Sequence, residues 1–412
     1  MDEIGRNYLT LALALDRHVP GLVDAYFGPS ELQAEAAEGE PRPLAELADR
    51  AHQLQAAIKV AGYDPQRQDF LARQVEALAA VIGNLEGERL GFVEEVERFF
   101  DITPRMVDEA KFEAAHGEIG RLLPGTGPLV ERLAARKKEL ELKPGRVEAV
   151  FELARQETQR RTCLLFDLPP GEEVRLQVVQ DQPWSAYNWY LGDYRSRIDL
   201  NTDLPLRVDA AVPLLAHEAY AGHHTEHAIK ERVLYREGGR AEHAVQLILA
   251  PECVISEGIG DSAQDVIFGR GELLAFLRDR VYPLAGLAHV DVEVQMGLSR
   301  AADGLRGVSG NAALLLHRDR RPPDEVQGYV EHYGLRTPRE AGQTLKFLQN
   351  PLFRSYVFNY ALGKALLAPL LNGPDRVANF RRLLSEPLTP TQVRHWVAAA
   401  GDQPGEGSVR EY

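Results

Sequence analysis

The residues with the most chemistry per position run His217-Glu218-Ala219-Tyr220-Ala221-Gly222-His223-His224-Thr225-Glu226-His227, which places four of the chain's 12 histidines beside two glutamates. Imidazoles mixed with carboxylates are the donor set of a zinc hydrolase. Two histidines and a carboxylate hold the ion, one position stays open for water, and a further carboxylate takes that water's proton. On this reading His217 is the first ligand and Glu218 the general base. The usual H-E-x-x-H pattern puts its second histidine on the next turn of the same helix face. Here that position is Ala221, which has no donor atom. In an unbroken helix His223 would lie roughly 120° off the face of His217, and His224 would return to that face about two turns along. Either choice needs a bulge or a break, and Gly222 stands where one is tolerated.

The same residues allow a second parse. His223-His224-Thr225-Glu226-His227 spells H-x-x-E-H, the inverted zincin pattern, which needs no break but leaves His217 and Glu218 without a task. A third ligand is expected downstream, in Ser256-Glu257-Gly258-Ile259-Gly260-Asp261. Glu257 and Asp261 stand one helical turn apart, so the glutamate can reach an ion while the aspartate accepts a ring N–H from a ligand histidine. His243 and His289 stand alone in helical patterns, where packing is the plainer role.

The elements that must position these residues are mostly helical. The apolar run from Ala210 to Ala216 leads into the cluster. Upstream, apolar periodicity predicts helices at about 2–16, 43–62, 65–84, 87–99, 101–123 (with Asp101 as N-cap), 128–142 and 144–166. Residues 173–179 have strand composition, and Ser185 to Asn201 alternates around Gly192-Asp193 as a hairpin. An edge strand there could pair with an extended peptide. Beyond the cluster, helices are expected at about 239–250, 252–268, 270–304, 323–333, from Thr337-Pro338, and from Asn350-Pro351 to Leu371, followed by two short helices and a flexible tail from Gly401. The expected fold is a mostly α single unit with a small antiparallel sheet beside the active-site helix. Its three stretches are a helical part (1–166), a metal-site part (167–372) and C-terminal helices (373–412).

Asp and Glu number 61 against 47 Lys and Arg, a net charge of −14, which argues against a nucleic-acid partner. No signal peptide is readable, and no apolar run approaches the ~18 residues of a membrane span. Cys163 and Cys253 match neither a disulfide framework nor a zinc knuckle, so both are read as buried small hydrophobes of a cytoplasmic protein. The oligomeric state is open.

His217 to His224 resembles the H-E-x-x-P-G-H-H signature of the bacterial helical family called domain of unknown function 885, a zincin-like group. Val23-Asp24-Ala25-Tyr26-Phe27-Gly28-Pro29, Arg197-Ile198-Asp199-Leu200-Asn201, Glu257-Gly258 and Tyr360-Ala361-Leu362-Gly363 extend the resemblance over most of the chain. It is strongest from about 187 to 365. It implies a large helical metallopeptidase fold, similar in outline to thimet oligopeptidase and the thermostable helical carboxypeptidases. It further implies Zn2+ held by His217, His223 and Glu257, with Glu218 as base and His224 as an alternative ligand or a support to one. Two departures stand out: Ala221 replaces the family's proline, and Arg354-Ser355-Tyr356 replaces P-G-Q. Tyr360 is then the first candidate for stabilising an oxyanion and Tyr356 the second, while Arg354 could hold a substrate carboxylate. The expected activity is hydrolysis of a peptide or other small amide. The alternatives are a hydrolase of non-peptide substrates and a helical binding protein that keeps the motif without catalysis.

Overall fold

Several helices in this chain start where a side chain takes up one of their free N–H groups. Asp2 accepts from Gly5 N–H at 2.8 Å to begin Glu3–Asp16, and Asp64 accepts from Arg67 N–H at 2.9 Å to begin Pro65–Glu86. Thr337 and Glu340 cap Pro338–Gln349 reciprocally. A computed structural model describes residues 1–401 apart from 89, 182–185 and 204, so the expected tail beyond Gly401 and the expected hairpin start at Ser185 lie outside the described residues. Leu44–Val60, Phe92–Phe100, Leu129–Glu139, Pro144–Leu165, Glu252–Ile267 and Pro323–Gly334 form where the periodicity put them, with Phe92–Phe100 starting later than expected.

Four helical expectations are corrected. Asp101 does not start a helix. It sits at φ 54° and ends the previous one, and Asp108 caps the next, Glu109–Leu122. The stretch 239–250 is a single 3-10 turn followed by a strand. The stretch 270–304 is interrupted by a wide turn at Leu277–Val281 and ended by Gly286 at φ 79°, and it resumes as Val292–Asp303 under an Asp291 cap. The last long helix begins at Phe358 rather than near Pro351.

Among the described residues, five strands make two small sheets. β1 (Val23–Tyr26) and β5 (Val245–Leu247) pair antiparallel. β2 (Glu173–Val179), β3 (Ala186–Gly192) and β4 (Arg195–Asn201) form the second sheet in the order β2-β4-β3. The β3/β4 hairpin is antiparallel as expected, but β2 runs parallel to β4. Ser196, Ile198 and Leu200 face inward, and Trp189 and Leu191 face out. Val174, Ile198 and Leu200 pack with Leu215 and Ala216, which seats the sheet on the helix that carries His217.

Glu252–Ile267 lies between two apolar cores. Cys253 and Val254 join the first, built on the N-terminal helices; Ile255, Ile259 and Ala263 join the second, which includes Pro144–Leu165. Its neighbour Phe358–Leu371 crosses in close contact, because a Cβ on Gly258 would meet the Gly363 carbonyl oxygen at 2.7 Å. The glycine of the Tyr360-Ala361-Leu362-Gly363 element thus brings that helix, with Tyr360 on it and Tyr356 just before it, close to Glu257. Cys253 is buried as expected; Cys163 is exposed, a correction, since Pro144–Leu165 turns that position outward. Among the described residues, no helix is long and apolar enough to cross a membrane.

Candidate metal centre

The buried residues Ala211, Val212, Leu215 and Ala216 anchor the helix Ala211–Glu218 and put His217 and Glu218 in its last turn. There it stops: Asn188 of β3 donates its side-chain amide to the Glu218 carbonyl at 2.6 Å, and the chain restarts as a helix only at His223. A Cβ at Gly222 would collide with the His217 and Ala216 carbonyl oxygens, so the break is open to glycine alone. It turns His223 toward His217, with ring centroids 4.6 Å apart and planes at 85°.

Glu257 completes the group. Its Oε2 lies 3.3 Å from His217 Nε2 and its Oε1 3.9 Å from His223 Nε2, and one donor atom from each of the three residues falls within 4.8 Å of the others. Both Nδ1 atoms are turned the other way. His217 Nδ1 faces Asp261 Oδ1 at 3.4 Å, and Asp261 is held in turn by Arg306. A Cβ at Gly260 would sit 2.7 Å from His217 Nδ1, so that glycine makes room for the ring. Ser256 donates its hydroxyl to Glu226 Oε2 at 2.7 Å, which leaves Ser256 Oγ to accept from His223 Nδ1 at 3.0 Å. Each histidine therefore leaves Nε2 turned toward Glu257.

The donor set fits a divalent cation. Glu257 Oε2 is buried and has no hydrogen-bond partner among the described residues, while Tyr356 donates to Oε1 at 2.6 Å. Burial works against charge on His217, yet Asp261 and Glu257 outweigh it and hold that imidazole well above its usual pKa. The pocket favours positive charge.

The other expected residues divide. Glu218 lines the cleft beside the ligands, and its carboxylate makes no hydrogen bond or ion pair among the described residues. Tyr360 is 37% exposed and lines the same cleft, its ring 5.7 Å from that of Tyr356. Loss of solvent and the carboxylates of Glu257, Glu218 and Asp261 keep its hydroxyl protonated. Tyr356 spends its hydroxyl on Glu257. His224 is turned away, with both ring nitrogens engaged by Ser196 and Glu172 at 2.9 Å, and has none left for an ion. Arg354 donates from Nε and Nη2 to the two carboxylate oxygens of the buried Glu95 and does not line the cleft. Of the inverted parse, Glu226 is 2% exposed with both oxygens taken, by Ser256 and Lys230.

Several residues at the site were not singled out by sequence reasoning. Asp24 of β1 lines the cleft and accepts from Tyr187 of β3; Asn188 and Ser256 position main chain and imidazole. All three lay in stretches that carried a signal, Asp24 in the Val23–Pro29 resemblance, Asn188 in the hairpin and Ser256 beside Glu257, but none of the three was given a role. The cleft is about 1020 Å³.

No family model and no curated protein matches the chain. Among solved structures, a protein of Colwellia psychrerythraea provisionally classed as a lipoprotein superposes with a TM-score of 0.52 at 14% identity, over 86% of this chain. This chain spans 66% of that protein's length. A protein of unknown function from Shewanella oneidensis, also provisionally classed as a lipoprotein, matches with a TM-score of 0.48 at 11% identity, over 89% of this chain and 76% of its own. At 14% identity, the Colwellia match establishes a shared fold alone.

Proposed function

We propose that this chain is a zinc-dependent hydrolase of peptide or other amide bonds, a member of the zincin-like group that its His217–His224 stretch resembles. One observation carries the reading: Nε2 of His217, Nε2 of His223 and a carboxylate oxygen of Glu257 converge while both Nδ1 atoms are engaged elsewhere. Two nitrogens and an oxygen suit Zn2+. Bound there, the ion supplies a Lewis acid and an acidified water. Glu218, next to the first ligand and without a partner of its own, takes the proton and passes it to the leaving amine. Tyr360 offers a protonated hydroxyl to the oxygen that gains charge. Tyr356 holds Glu257 in place. Asn188, by fixing the end of the His217 helix, sets the direction of both His217 and Glu218. A cytoplasmic location belongs to the same proposal, supported by two cysteines that are both free thiols, and cell fractionation checks it.

The test joins metal content to turnover. Wild type and Glu218→Gln should both hold about one zinc per chain, and the variant should lose ~10²–10⁴-fold in turnover on a peptide panel. Full activity in Glu218→Gln would remove it as the base. Zinc bound with no turnover of peptides, amides or esters by the wild type would point to a binding protein.

A further inference from the structure

We infer that one helical wall of the cleft that holds the metal centre recognises a carboxylate on the substrate, an inference that rests on the hydrolase reading and names its substrate class. The helix Pro338–Gln349 forms that wall. Arg339, Gln343 and Lys346 recur at helical spacing, so they share one face, and all three line the cleft and are exposed. They span about 10 Å along the helix, with the Gln343 amide between the two cations.

The charges of these residues are unspent. Neither Arg339 nor Lys346 makes an ion pair or hydrogen bond among the described residues. The nearest carboxylate in sequence, Glu340, is taken by Lys137 at 2.7 Å and by the Thr337 cap. Lys230 is the other cation of the cleft lining, and it is paired with Glu226 at 2.5 Å. The metal-centre wall carries Asp24, Glu218 and Glu257. The cleft lining therefore holds carboxylates at the metal centre and two unpaired cations on one helix face, in a chain whose net charge is −14. A substrate with an anionic group is repelled from one wall and drawn to the other, which fixes its direction in the cleft. Arginine binds a carboxylate in bidentate fashion, and lysine and a glutamine amide add single donors. The role first read into Arg354, which Glu95 occupies, falls to this helix.

A carboxylate can come from a peptide's C-terminus or from an acidic side chain, so three acetylated pentapeptides separate the sources: neutral with a free C-terminus, the same sequence amidated, and an amidated one containing glutamate. Their binding is measured calorimetrically on the zinc-loaded Glu218→Gln protein, with and without Arg339→Gln and Lys346→Gln. At least one carboxylate-bearing peptide should bind about tenfold or more tighter than the neutral amide. The double variant should erase that preference and leave the neutral amide's affinity unchanged. Which of the two carboxylate peptides is preferred identifies the source. Equal binding of all three, or no binding of any, overturns the inference. So does a preference that survives the double variant, since the carboxylate would then be held by the metal centre. Failure of the hydrolase reading shows separately, as absence of turnover in the wild type with this preference intact.

Discussion

The helix His223–Lys230 turns two consecutive histidines to opposite sides. His223 looks into the cleft with Nε2 turned toward Glu257 and its Nδ1 on Ser256, its side chain 14% exposed. His224 looks into the protein, fully buried, with one nitrogen on Ser196 and the other on Glu172. Glu172 also accepts from Tyr220 at 2.7 Å and Gln159 at 3.0 Å. Burial opposes charge on Glu172, and these donors outweigh it and hold its carboxyl below the usual range. The residue type is the same on both sides, and the surroundings decide the role. An imidazole with one nitrogen held and the other facing a cavity is prepared for an ion, whereas one with both nitrogens spent is a strut.

The comparison breaks most sharply by removing each ring in turn. His223→Ala should lower zinc affinity by more than the roughly 100-fold that supporting partners cost, with little change in the stability of the zinc-free protein. His224→Ala should keep about one zinc per chain and lose about 2–4 kcal/mol, from a cavity and a buried carboxylate short of a donor. Plasma mass spectrometry and urea unfolding read the two quantities separately. Zinc lost with His224 at unchanged stability would reverse the assignment of the faces.

The supports of the cleft-facing pair sharpen the comparison at smaller amplitude. Asp261→Asn and Ser256→Ala remove what holds the Nδ1 atoms of His217 and His223, and each should weaken zinc binding ~10–100-fold without displacing a ligand. A chelator competition titration measures it. An unchanged affinity in both would mean that the helix break alone orients the rings.

How much of this was legible depends on how far apart the partners lie in sequence. The long helices and their caps are local patterns, and so is the departure from H-E-x-x-H that demands a break at Gly222. Glu257 and Asp261 announce themselves by one-turn spacing. What could not be read is set by distant partners. β5 is a three-residue strand whose ladder lies on β1 near the N-terminus, so the local pattern of 239–250 looked helical. Arg354 looked free because its partner Glu95 is 259 positions away. His223 and His224 have the same neighbours in sequence, and only Ser196, Glu172 and Ser256, from three other segments, separate them. Arg339 and Lys346 read as ordinary surface charge until the helix that carries them is placed in the lining of the cleft that holds Glu257.

His243 extends the buried side of the comparison to a ring that lacks even the struts of His224. It is 7% exposed, tilts against Phe70 with centroids 4.8 Å apart, and has no hydrogen-bond partner for Nε2 among the described residues. Burial first, then the positive charges of Lys230, Arg240 and Arg67, push its pKa well below the ordinary value. The folded chain therefore keeps this ring neutral while the unfolded chain takes a proton near pH 6.5. Below that pH the unfolded state binds more protons, so stability falls as pH falls, by about 1.4 kcal/mol per unit from this one group, until the folded pKa is reached. His243→Phe has no such proton to bind, and its unfolding free energy between pH 6.5 and 5 should decline less steeply than the wild type's by about that slope. Parallel curves for the two proteins, measured by urea titration without zinc, would mean that His243 is already protonated in the fold and that a ring without partners can still carry charge there.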